Sequence, residues 1–147
     1  MLLTTPMSAT PAAPMFWRRV FPGDPVQAKA VRVFAAQLLY GSPLLDDILL
    51  VLDELAVNAV RHTRSGDAGG TFTVEVRHEE GRVVVGVVDQ GGASEPHARS
   101  LPCLDDLDRI EECGRGLLTV GALAAHWCWN GDGRGRTVQA VFAWPGS

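Results

Sequence analysis

Glu54, Asn58 and His62 recur at four-residue intervals inside the otherwise apolar stretch ILLVLDELAVNAVRHT. If that stretch is helical, the spacing brings all three near one face, while Leu55, Ala56, Ala59 and Val60 can turn toward a core. A carboxylate one turn from a carboxamide sets a proton acceptor beside a neutral oxygen ligand. Mg²⁺ prefers oxygen donors and is commonly shared between one or two protein groups and substrate phosphates, so Asn58 could hold the ion while Glu54 stays free to orient or deprotonate a nucleophile. A solvated helix face would explain the same residues if they stood alone.

Three further stretches carry chemistry of a compatible kind. Asp89 closes the apolar run VVVGVV and is followed by Gly91 and Gly92. A carboxylate at a strand end can accept a hydrogen bond from an adenine amino group, and glycines there allow close backbone approach, although an ordinary turn uses the same residues. Gly114, Arg115 and Gly116 precede LLTV. They can open a helix whose free N–H groups attract phosphate, with Arg115 adding a charge-assisted contact. Thr137, in GRGRTV, enters a final strand with a hydroxyl able to reach a ligand, and β-propensity alone also accounts for it.

The elements needed to position these groups can be read from periodicity. Residues 16–22, FWRRVFP, read as an edge strand. Asp24 and Pro25 start a helix that ends before Gly41, with Val26, Ala30, Val33, Phe34 and Leu38 as its expected buried stripe. Ser42 and Pro43 start a second helix that runs to about His62. After a Gly-rich break, TFTVEVRH and RVVVGVVD form a hairpin, with Phe72, Val74 and Val76 on one face. A loop over 91–114 holds a short acidic helix lined by Leu101, Leu104, Leu107 and Ile110. RGLLTVGALAAHW reads as a third substantial helix, and a last hairpin places Val138, Ala140 and Phe142 on one side. Strands grouped in hairpins, without a helix between each pair, predict an α/β two-layer sandwich: a mixed, mostly antiparallel sheet with helices packed on one face.

Composition narrows the function classes. The 147 residues are 46% apolar, enough for a core, and the Pro-, Ala-, Thr- and Ser-rich start reads as a disordered tail over 1–15 before a single domain over 16–147. A net charge of −4 provides no electrostatic footprint for nucleic acid. No uninterrupted apolar run of spanning length is present, so no membrane role is expected. Cys103, Cys113 and Cys128 are odd in number and lack CxxC spacing, which fits a reducing cytoplasm.

Taken together and in order, the motifs E-L-x-x-N-A-x-x-H, D-x-G, G-x-G-L and G-x-T resemble the nucleotide-binding boxes of the GHKL ATPase superfamily, whose fold is the Bergerat type. FPGDPVQAKAVRVFAAQLL and DELAVNAVRH are similar to bacterial, specifically actinobacterial, anti-sigma factor serine/threonine kinases, the switch-protein kinases of partner-switching modules. The resemblance covers roughly residues 16–144. It implies ATP and Mg²⁺ as ligands, with Asn58 as the Mg²⁺ ligand, Glu54 as the general base and Asp89 as the adenine reader. Gly91 matches the first glycine of that box, Gly114 and Gly116 the borders of the ATP lid, and Thr137 the threonine near the adenine. It further implies a sigma factor and an anti-anti-sigma protein as partners, and a homodimer. No firm role attaches to His62. The chain departs from the usual D-x-G-x-G at Ala93, and its lid contains Arg99, Arg109 and Arg115 but no lysine. The alternative reading is therefore a nucleotide-binding or degenerate module that sequesters a protein partner without kinase activity.

Overall fold

The computed structural model describes residues 14–92 and 120–143. Five strands form one sheet: β1 (Met15–Pro22), β2 (Thr71–Glu79), β3 (Arg82–Asp89), β4 (His126–Asp132) and β5 (Gly135–Ala143). Their order is β1-β2-β3-β5-β4, and every pairing is antiparallel. Two helices, α1 (Ala28–Leu38) and α2 (Leu45–His62), lie between β1 and β2 in the chain and pack on one face of the sheet.

Period-two alternation explains which face they cover. Phe72, Val74 and Val76 of β2, Val83, Val85 and Val87 of β3, and Ala140 and Phe142 of β5 are all buried, and meet Ile48, Val51, Leu52, Leu55, Ala56 and Ala59 of α2. Each fully buried Val, Leu or Phe contributes roughly 1.5–3 kcal/mol relative to exposure. Phe21 of the edge strand stacks on Phe72 with centroids 5.6 Å apart and meets Phe34 of α1 edge-on at 5.9 Å, which anchors α1 over β1 and β2. On the opposite face Phe16 and Val20 are exposed, although Val84 is buried there.

The helix boundaries differ in detail from the sequence expectation. The Asp24 carboxylate accepts a hydrogen bond from Val26 N at 3.0 Å, but the turn it caps is a 3-10 turn over Pro25–Gln27, with α1 following at Ala28. Val31 and Ala35 make the fully buried stripe of α1, whereas Val26 and Val33 are exposed. Nearly every turn of this helix carries apolar residues on two sides, so periodicity alone does not choose between them. Ser42 Oγ accepts from Leu44 N at 3.1 Å, and α2 starts one residue later.

The third helix proves shorter at its end than expected. Residues 120–123 are helical, but His126 and Trp127 already belong to β4, where Trp127 faces the core opposite Ala140. Burying that indole against the sheet outweighs the helical period of the preceding alanines. The acidic helix expected over 101–110 and most of the tail lie outside the described residues. Among those described, no helix is long and apolar enough to cross a membrane.

Candidate functional site

Ser65 and Asp89 are the two buried polar or charged residues among the described residues, and both sit at one corner of the sandwich. That corner is where the C-terminal end of α2 meets the C-terminal end of β3. A buried polar group is costly unless hydrogen-bonded, so its partners explain how the corner is built. Thr63 Oγ1 donates to the Ala59 carbonyl at 2.6 Å and accepts from Ser65 N at 3.0 Å, which turns the chain sharply after the helix. Ser65 Oγ then accepts from Gln90 N at 3.0 Å, and Arg64 N donates to the Gly91 carbonyl at 2.6 Å. Gln90 Oε1 takes the Thr71 N–H at 2.9 Å, and Arg64 Nη1 reaches the Gly133 carbonyl in the β4–β5 turn at 2.8 Å. Helix end, strand end and hairpin tip are thereby held as one unit. None of Thr63, Arg64, Ser65 or Gln90 stands out in the sequence, where they belong to a generic polar break.

Asp89 is placed by this unit. Its Oδ1 accepts from Gly91 N at 2.7 Å, a tight turn that requires Gly91 at φ +76°. A Cβ added at Gly91 would lie 2.2 Å from the Gly133 carbonyl oxygen. The glycine is therefore demanded by the neighbouring hairpin and by its left-handed backbone, not only by the approach of a ligand. The same Oδ1 lies 3.4 Å from Arg136 Nε, with the Asp89 and Arg136 side chains only 5% and 11% exposed.

Thr137 is not brought to this carboxylate. In the β3–β5 register Asp89 pairs with Arg136, and Thr137 pairs with Val88. Cross-strand partners share a face and successive residues alternate, so Thr137 lies on the face away from the helices, also opposite Asn130 of β4. Reading G-x-T as the site position is thus displaced by one residue, and Arg136 occupies the place beside Asp89.

Glu54 and Asn58 are half-buried and flank the buried stripe of α2, while His62, at the helix end, is exposed. Asp53, which opens the same motif, pairs with Arg32 of α1 at 3.0 Å and joins the two helices. Among the described residues, no side chain hydrogen-bonds or ion-pairs with Glu54 or Asn58, so their oxygens are not committed to the described scaffold. Nor do any three His, Cys, Asp or Glu gather there as a metal site. A cation at Asn58 would draw most of its oxygens from a ligand such as a nucleotide phosphate. Gly114, Arg115, Gly116 and Ala93 lie outside the described residues.

The geometry is that of a helix bearing a carboxylate and a carboxamide, pinned by its end to a strand that terminates in a buried carboxylate. The sequence profile of the histidine kinase-like ATPase domain matches residues 21–142. The chain belongs to this family. Membership implies ATP binding and ATP-dependent activity, and the antiparallel sheet with helices packed on it agrees with that fold. A search of curated proteins found no match to this chain.

Proposed function

We propose that this ATPase domain binds Mg·ATP between α2 and the Asp89 corner and uses it as a regulatory serine/threonine kinase of a partner-switching module. In that role it holds a sigma factor and phosphorylates an anti-anti-sigma protein, working as a homodimer. The observation that carries nucleotide binding is the buried Asp89 carboxylate. It sits at a strand end on the helix-covered face, with Oδ1 engaged by the scaffold and the corner bonded to the end of the helix that bears Glu54 and Asn58. Oδ2 is then the oxygen suited to an adenine amino group. The protein partners rest on the likeness of DELAVNAVRH and the first helix to anti-sigma factor kinases.

The residues fit the ligand. Asn58 would supply one oxygen to Mg²⁺, which when bound neutralises phosphate charge. Glu54 would orient the partner's hydroxyl and take its proton as the oxygen bonds to the γ-phosphorus and the bond to the β-phosphate oxygen breaks, releasing ADP.

Thermal unfolding with and without Mg·ATP tests the binding: the wild type gains stability and Asn58→Ala does not, because a ligand of the native state must raise apparent stability. No shift in either protein removes nucleotide binding. Transfer of labelled phosphate to a candidate partner tests the kinase. Glu54→Ala should abolish transfer and keep the thermal shift, whereas a wild type that binds ATP without transferring it is a sequestering module.

A further inference from the structure

Arg136 is a charged feature of the corner that the proposed function does not require. A neutral side chain at the same register position would fill the space without the desolvation that a guanidinium incurs, and a buried ion pair is a weak source of stability. Yet the Arg136 side chain is 11% exposed and its Nε lies 3.4 Å from the Asp89 carboxylate, from a strand 47 positions away in sequence. The contact falls on Oδ1, the oxygen already held by Gly91 N. Among the described residues no hydrogen bond is made to Oδ2, which is left as the acceptor that a ligand can use.

A guanidinium is a planar fork with five N–H donors and no acceptor, and the Asp89 contact uses one of them. The other four N–H donors make no hydrogen bond with another described residue, and the guanidinium that carries them sits against the carboxylate. The corner therefore offers an acceptor and a donor side by side. Adenine presents the complementary pair: its exocyclic amino group is flanked by ring nitrogens that accept hydrogen bonds.

We propose that Arg136 is a specificity-determining residue of the purine site, its guanidinium donating to an adenine ring nitrogen while Asp89 Oδ2 accepts from the adjacent amino group. This inference rests on the ATP-binding reading above. It gives the buried guanidinium at position 136 a role, as a charged donor beside the carboxylate. It also makes Asp89 and Arg136 a single recognition element, in which the ion pair fixes both partners before the base arrives.

Calorimetric titration of the full chain with Mg·ATP, Mg·1-deaza-ATP and Mg·7-deaza-ATP tests it, because each deaza analogue lacks one ring nitrogen. On the wild type, one analogue should bind about tenfold more weakly than ATP, the loss of one charge-assisted hydrogen bond. Arg136→Met should bind ATP about tenfold more weakly and no longer distinguish that analogue from ATP, and Arg136→Lys should recover part of the preference. Equal affinity of the wild type for all three nucleotides overturns the inference, and needs no variant to fold. So does an Arg136→Met protein that weakens on ATP and on the sensitive analogue by the same factor, which is the mark of a structural role, or one that binds ATP more tightly, which makes Arg136 an obstruction. A wild type that binds none of the three removes the ATP-binding reading and this inference with it, a pattern distinct from firm ATP binding with indifferent analogues.

Discussion

Strand β3 carries a charged residue at each end, and each forms an ion pair of a different kind. At its start, Arg82 Nε lies 2.6 Å from Glu79, with the side chains 51% and 23% exposed. At its end, Asp89 lies 3.4 Å from Arg136, with both side chains close to fully buried. The shorter pair is the weaker determinant of stability, because water screens it and competes for both partners, and exposed pairs typically contribute little. The longer pair sits where the loss of one partner strands the other charge without solvent. Burial, rather than distance, separates a surface contact from a structural commitment.

The largest effect should come from breaking the buried end. Asp89→Ala leaves Arg136 without its carboxylate and should lower unfolding stability by about 3 kcal/mol in urea titration, with loss of the thermal shift on Mg·ATP. Gly91→Ala forces a Cβ toward the Gly133 carbonyl and an unfavourable backbone region, and should cost about 2 kcal/mol by the same measurement. Ser65→Ala removes the acceptor of Gln90 N and should cost about 1–2 kcal/mol while leaving the sheet intact by circular dichroism.

The exposed end should respond least, and in a pH-dependent way. The hydrogen bond from Arg82, aided by the charges of Arg82 and Arg77, holds the Glu79 carboxyl below the usual carboxylate range. A depressed carboxylate contributes stability above its unfolded value and loses that contribution as pH falls through its folded value. Glu79→Gln should therefore match the wild type closely in acid and fall slightly below it at neutral pH, as followed by thermal midpoints across that window. An equal response at both ends of β3 would erase the distinction.

Much of this architecture is legible in the sequence because it depends on local alternation. TFTVEVRH and TVQAVF each place every second residue in the core, and their hairpins follow from the short breaks between them. Helix α2 is equally plain, from its long apolar period and the Ser-Pro start. What escapes is whatever depends on register between distant segments. Thr137 and Arg136 are adjacent in sequence and on opposite faces of the sheet, and only the pairing of β5 with β3 decides which of them meets Asp89. Ser65 likewise looks like an ordinary loop serine until the end of α2 is set against Gln90. Glu54 and Asn58 are legible as a stripe, since four-residue spacing is a property of the helix alone.

The bonds from Thr63, Arg64 and Ser65 tie three chain segments into a knot whose strands cannot loosen one at a time. Amide hydrogens of Ser65, Gln90 and Arg64 should consequently exchange with deuterium at a common rate, set by the opening of the whole cluster. A nucleotide that grips Asp89 would slow all of them in concert, and its arrival would be felt at the hairpin tip around Gly133, a place it need not touch.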